Sequence, residues 1–234
     1  MKKTLILLLA LALIVSLAAC GQQAPKGTLT TQTPAAESTY TPAEPTDAPA
    51  EVEDDPMTAS VTIGNRYENP SLGIGVELDA DWHIFNEDEL AQLSGLTAEM
   101  FSDEKYQEMA KSVKNFYDFY AMNSSSSNIN ILFENLGLLY GTLLDEEQYR
   151  DLAYPSMEAA YADAGFTDII IEKNTVVFAG AERTGIFTQC KSQGIEICMQ
   201  QVLIKTGKHM AIITFAGSTP EALQSTSDLF FALD

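Results

Sequence analysis

Ala181 to Ala216 reads AERTGIFTQCKSQGIEICMQQVLIKTGKHMAIITFA, three apolar-rich runs separated only by Ser192-Gln193-Gly194 and Thr206-Gly207-Lys208. Breaks this short cannot contain the crossover that parallel strands need, so the runs Ala181 to Lys191, Ile195 to Thr206 and His209 to Ala216 are antiparallel neighbours. Phe187, Ile197, Met199 and Leu203 fall on one parity, with Ile186, Val202 and Ile204 near the other. A sheet that is apolar on both parities is covered on both faces, and helices are the expected cover.

Outward from this meander, Ser218-Thr219-Pro220-Glu221 opens a last helix, with proline in the first turn and an acid at the positive end of the dipole. On the N-terminal side, strands are expected near Asp168 to Lys173 and Val176 to Phe178. Before them, Asp145 to Ala164 is a helix with Asp145 as cap, Gln148 three residues on, and Gly165 placed to end it. Asn115 to Met122 fits a helical stripe through Val113, Phe116, Tyr117 and Tyr120. Its aromatic content and the following Asn123-Ser124-Ser125-Ser126-Ser127 favour a hairpin returning through Asn128 to Asn135.

Val61 to Asn69 and Leu72 to Asp79 read as two strands joined at Asn69-Pro70-Ser71. A helix capped by Asn86 or Asp88 follows Trp82, and a second runs from Thr97 to Lys111. The order predicts an α+β fold: a mostly antiparallel sheet with helices on both faces, an α/β/α sandwich. It forms one domain over residues 61–234.

The N-terminus predicts location. Lys2 and Lys3 precede an eleven-residue apolar run, Leu5 to Val15, and Leu17-Ala18-Ala19-Cys20-Gly21 closes it. A cationic start, a short apolar core and small residues before a cut site make a secretory signal, here residues 1–19. The run falls short of the roughly twenty apolar residues that span a bilayer. Leu17-Ala18-Ala19-Cys20 resembles the lipobox of bacterial lipoproteins. The resemblance implies a diacylglyceryl group on the Cys20 thiol, cleavage before it, and a protein held at the extracytoplasmic face of the cell membrane.

From Gly21 to Ser60 the chain has six of its nine prolines, seven acids, one lysine and a single aromatic, Tyr40. Such a stretch cannot bury enough apolar surface to offset the entropy of ordering, so residues 20–60 are expected to be a tether. The full chain carries net charge -20, and loss of Lys2 and Lys3 with the leader takes it to -22. That charge repels phosphate backbones and argues against nucleic acid as a partner.

No motif for chemistry is complete. Gly73-x-Gly75 lacks the third glycine of a dinucleotide loop, and neither histidine has a second ligand at metal spacing. No cofactor or metal is expected. His83 beside Trp82 could act as a general base oriented by Asp81, but no nucleophile lies near it in sequence and a surface strand-end residue is expected; His209 is expected to be a solvated hairpin residue. Ser124 to Ser127 reads as a turn, and Asp145, Glu146 and Glu147 as helix capping. Asn128, Asn130 and Glu134 form a polar row on one strand face. Phe116 and Tyr120 on the neighbouring strand make this the candidate ligand face for a sugar or peptide. Cys190 and Cys198 flank the Gly194 turn. A hairpin pairing residue 190 with 198 makes a disulfide conceivable, with two buried free thiols as the alternative.

Tyr67-Glu68-Asn69-Pro70-Ser71-Leu72-Gly73-Ile74-Gly75-Val76-Glu77-Leu78-Asp79-Ala80-Asp81-Trp82 resembles the opening of PsbP and Mog1-like domains, in which a hairpin ends in a tryptophan before the first helix. The chain is also similar to uncharacterised lipoproteins of Gram-positive gut bacteria that carry such domains. The resemblance implies a non-enzymatic binding or assembly module; the anchor and tether make an envelope protein or cell-wall component its expected partner. It carries over no functional residue. The competing expectation is an envelope hydrolase whose active-site residues are dispersed in sequence.

Overall fold

The computed structural model describes residues 57–233; the leader, Cys20 and the tether up to residue 56 lie outside the described residues. In chain order the strands are β1 (Val61–Ile63), β2 (Arg66–Asn69), β3 (Ile74–Glu77), β4 (Trp82–Ile84), β5 (Asn115–Asn123), β6 (Asn128–Asn135), β7 (Thr167–Phe178), β8 (Ala181–Ser192), β9 (Ile195–Thr206), β10 (His209–Gly217) and β11 (Phe230–Ala232). The helices are α1 (Glu87–Ser94), α2 (Asp103–Ser112), α3 (Gly137–Leu143), α4 (Glu146–Asp163) and α5 (Pro220–Ser227), with a 3₁₀ turn, Ala98–Phe101, before α2.

The main sheet has seven strands in the order β4-β5-β6-β10-β9-β8-β7, and a second has four, β1-β2-β3-β11. Every pairing is antiparallel. The fold is therefore the α+β arrangement that the meander predicts. One face of the main sheet, carrying Phe116, Ile131, Val202, Ile213 and Phe215, shares a core with α2, α5 and the small sheet. The opposite face, carrying Tyr120, Leu132, Leu203 and Ile212, is covered by Leu90 of α1 and Tyr149 of α4. Met157 and Tyr161 of α4 pack further along that face on Ile186 and Cys190.

Several local features follow the chemistry of their residues. Asn86 and Asp145 each accept from the backbone N–H three residues on, while Glu89 and Gln148 reach back to the cap N–H, two complete capping boxes. Asp168 to Lys173 and Val176 to Phe178 turn out to be one continuous strand. Between them, Asn174 exchanges side-chain hydrogen bonds with Gln200 at 2.8 and 3.1 Å across Gly185. A Cβ on Gly185 would lie 2.5 Å from Asn174 Oδ1, so the amide pair requires glycine beneath it. Val61 to Asn69 is two strands, because Gly64 at φ 64° turns the chain. The elements β4, α3 and β11 go beyond the sequence reading. Packing also begins before residue 61: Met57 is buried and Thr58 N–H donates to Ser71 Oγ at 2.8 Å.

The two cysteines are corrected by register. Gln193 and Gly194, at φ 52° and 82°, make a two-residue turn closed by Ser192 opposite Ile195. Cys190 therefore faces Ile197, and Cys198 faces Gln189, one residue away from the pairing a disulfide would need. A slip of one residue moves a side chain to the other face of a sheet. Cys190 lies under α4 and Cys198 in the opposite core, both as free thiols. Burial pushes the Cys190 thiol up to about 11. Thiol titration of denatured Cys20→Ala protein, isolated without reductant, should count two thiols per chain; a count of zero would restore the disulfide.

Candidate functional site

The arrangement with chemical potential sits at the edge of the main sheet, around a residue that the sequence reading passed over. β4 pairs with β5 only from Trp82 to Ile84, opposite Asn123 to Ala121. Beyond Phe85, whose N–H still donates to Tyr120 O at 2.9 Å, the chain leaves the sheet and enters α1. The other half of β5 thus has no strand on that side; Ser94 Oγ accepts the Tyr117 N–H at 3.0 Å instead.

In this half, the register shifts between Tyr117 and Phe119, so Asp118 is an extra residue in the strand. Its side chain is buried and accepts four hydrogen bonds. Tyr106 OH and Ser60 Oγ donate to Oδ1 at 2.6 and 3.1 Å. Tyr67 OH and Asn69 Nδ2 donate to Oδ2 at 2.5 and 2.9 Å. Burial pushes the Asp118 carboxyl up against the opposing pull of these hydrogen bonds. Tyr67 and Tyr106 are raised well above the usual phenol range, first by burial and then by the adjacent carboxylate.

A cavity of about 570 Å³ opens over Asp118, between the β1–β2 hairpin, the start of α1 and the 3₁₀ turn. Ser60 and Tyr106, the partners of Oδ1, line it; Tyr67 and Asn69, the partners of Oδ2, do not. Oδ1 is therefore the oxygen on the cavity side. Phe85, Phe101, Ile84 and Leu90 supply apolar wall, and Glu87 and Asp88 add two exposed acids from the first turn of α1.

The ligand face expected around Asn128 is rearranged by the same bulge. Asn128, Asn130, Glu134 and Tyr120 do share one face, and Tyr120 lies opposite Asn130. Phe116 lies on the other face, opposite and stacked on Phe133, because the extra Asp118 reverses the alternation between residues 116 and 120. The polar row is also buried: Asn128 is 2% exposed, Asn130 7% and Glu134 3%. Glu134 accepts from Tyr149 OH at 2.5 Å and pairs with Lys114 Nζ at 2.8 Å. Thr214 and Gln201 extend the row across β10 and β9, opposite Asn130 in turn. Asn128 Nδ2, Gln201 Nε2 and Thr214 Oγ1 are buried with no protein partner. A ligand could reach this row only by displacing the side chains that cover it, whereas the Asp118 cavity is open.

The remaining sequence candidates are local structure. His83 is exposed and contacts Glu89 Oε1 at 2.9 Å, while the Asp81 N–H is held by Asp79. His209 is buried, not solvated, and its Nε2 lies 2.7 Å from Ala110 O. In the serine turn, Asn123 Oδ1 accepts the N–H groups of Ser125 and Ser127. Among the described residues, no group of three or more His, Cys, Asp or Glu side chains could hold a metal.

Removing the Asp118 carboxylate leaves three buried donors, Tyr67, Asn69 and Tyr106, each costing about 1–3 kcal/mol if unmade, and the half-buried Ser60 hydroxyl. Asp118→Ala should destabilise the domain by about 3 kcal/mol or more, read from urea denaturation; a loss within experimental error would show that the network contributes nothing. The pH dependence has a definite sign. Because the folded pKa is raised, folding favours protonated Asp118. This contribution is complete below the unfolded value, about 3.9, and is lost as pH rises through the folded one. Asp118→Asn lacks it. Wild type should therefore gain on the variant as pH falls from about 7 to about 4, and a gap that narrows would refute the raised pKa.

No family model matches the chain and no curated protein matches it, so the likeness to PsbP and Mog1-like domains stands without a family match. Among solved structures, the chain is similar to LpqN of Mycobacterium tuberculosis, described as involved in cell envelope biogenesis. The identity is 8% and the TM-score 0.37, over 69% of this chain and 83% of that one. A protein from Bacteroides thetaiotaomicron is similar at 11% identity and TM-score 0.37, over 73% of this chain and 49% of that one. Likenesses at this level decide neither fold nor function.

Proposed function

We propose that the chain is an extracytoplasmic lipoprotein, a binding module with no chemistry of its own, that offers the Asp118 cavity to a ligand of the cell envelope. The observation that carries the location is the leader, Lys2 and Lys3 followed by Leu5 to Val15 and the lipobox-like Leu17-Ala18-Ala19-Cys20. Two acyl chains on Cys20 would hold the protein firmly, since each buried methylene contributes about 0.8 kcal/mol and a single chain exchanges. Among the described residues no helix is long and apolar enough to cross a membrane, so the domain itself offers no helical span.

Binding is favoured over catalysis by the state of the cavity's polar groups. Asp118 spends its acceptor capacity on four neutral donors, and neither histidine lines the cavity. The competing reading is a hydrolase in which Ser60 Oγ, 3.1 Å from Asp118 Oδ1, is the nucleophile. Labelling of Ser60 by a fluorophosphonate, abolished by Ser60→Ala, would favour that reading.

Replacing Cys20 by alanine should move the protein from the membrane fraction to the soluble extracytoplasmic fraction. An unchanged membrane share would refute the thioether anchor.

A further inference from the structure

The cavity combines three features that together specify a charge class. Its lining includes a buried carboxylate, Asp118, whose Oδ1 partners Ser60 and Tyr106 line it too. Every charged residue in its lining is acidic: Asp118 itself, with Glu87 and Asp88 at the mouth. The rest of the wall sets Phe85, Phe101, Tyr106 and Leu90 beside the neutral polar Ser60, Thr62 and Asn86.

Among the described residues no cation pairs with Asp118. Its hydrogen-bond partners are all neutral: Ser60, Tyr67, Asn69 and Tyr106. Three basic groups on neighbouring elements are engaged elsewhere, and Lys111 on α2 does not line the cavity. Arg66 on β2 pairs with Glu68 and Glu77, Lys105 on α2 with Glu108, and His83 on β4 with Glu89. Burying a carboxylate without a counter-charge is unfavourable, and an incoming positive charge would relieve that cost.

We infer that the cavity receives a small organic cation of the alkylated-ammonium kind, seated between Asp118 Oδ1 and the rings of Phe85, Phe101 and Tyr106. The inference deepens the reading of this cavity as the binding site and rests on it. A hard metal ion fits poorly, because it needs several converging oxygen ligands and, among the described residues, no three His, Cys, Asp or Glu side chains converge to hold one. Methylated ammonium is weakly hydrated and gains from aromatic rings and from a desolvated anion together. The acids at the mouth disfavour a phosphate-bearing head, so the ligand carries net positive charge. The acidity of the whole chain, net charge -20, draws cations toward it. Binding also lowers the pKa of Asp118, so protons leave as the cation enters and affinity increases with pH.

The test uses the lipid-free Cys20→Ala chain and three probes: choline, its neutral carbon isostere with tert-butyl in place of trimethylammonium, and phosphocholine. Backbone amide shifts of cavity residues and titration calorimetry in two buffers of different ionisation enthalpy are read together. Choline should shift Phe101 and Tyr106, bind at least about tenfold tighter than either other probe, and release protons. Asp118→Asn and Phe101→Ala should each weaken choline, the second without touching the carboxylate's hydrogen bonds. Equal binding of the neutral isostere would sink the cation inference while leaving the cavity as a site. Absence of choline binding would also sink it. Binding of all three probes that never shifts the cavity residues would remove the cavity reading itself.

Discussion

The bulged carboxylate of Asp118 is the constraint from which the rest of this structure is arranged. It draws together three parts that no continuous hydrogen-bond ladder connects: the small sheet, through Ser60 before β1 and Tyr67 and Asn69 on β2; α2, through Tyr106; and β5 itself. Without it the small sheet would meet the main sheet through apolar contacts alone. Apolar contact is indifferent to orientation, whereas a carboxylate with four aimed donors fixes one. The surrounding core then packs around that choice: Tyr67 lies on Phe119 with ring centroids 4.4 Å apart, and Tyr106 meets Phe116 edge-on at 5.8 Å.

The same residue explains which parts of the molecule can be read from its sequence. The β8–β10 meander and the two capped helices are legible because their signals are local and repeated: period-two patterning, short turns, and a cap with its partner three residues on. The three-residue strands β4 and β11 carry too few residues to show a period, and their pairing partners lie far away in sequence. Helix α3 has no polar face by which a helical stripe could be recognised: Leu138, Leu139, Tyr140 and Leu143 are all largely exposed.

Parity errors have a single cause. Strand faces are inferred by counting in twos, and one inserted or misjudged residue inverts every assignment beyond it. The bulge at Asp118 moves Phe116 away from Tyr120, and a turn one residue off moves Cys190 away from Cys198. The candidate site was hidden for the same reason. Within Phe116-Tyr117-Asp118-Phe119-Tyr120 the lone acid was the available signal, since a charge among four aromatics in a buried strand demands partners or a purpose. Its partners lie up to 58 residues away, so no spacing rule could name them.

The position of the cavity follows from how this sheet ends. An unpaired strand edge invites association with another chain, and proteins blunt it with bulges, short strands or covering loops. Here β4 stops after three residues, Ser94 takes a backbone donor of β5, and the bulge turns the strand where its neighbour has gone. Helix α1 starts at its capping box on Asn86 and packs Leu90 against Tyr117 and Tyr120 of that strand. Space is left between the helix start, the 3₁₀ turn and the strand. The charge of that space is fixed by the same elements: acids stabilise the first turn of α1, and the bulge delivers Asp118. Closing the sheet edge and creating an acidic, aromatic-walled recess are thus one structural event.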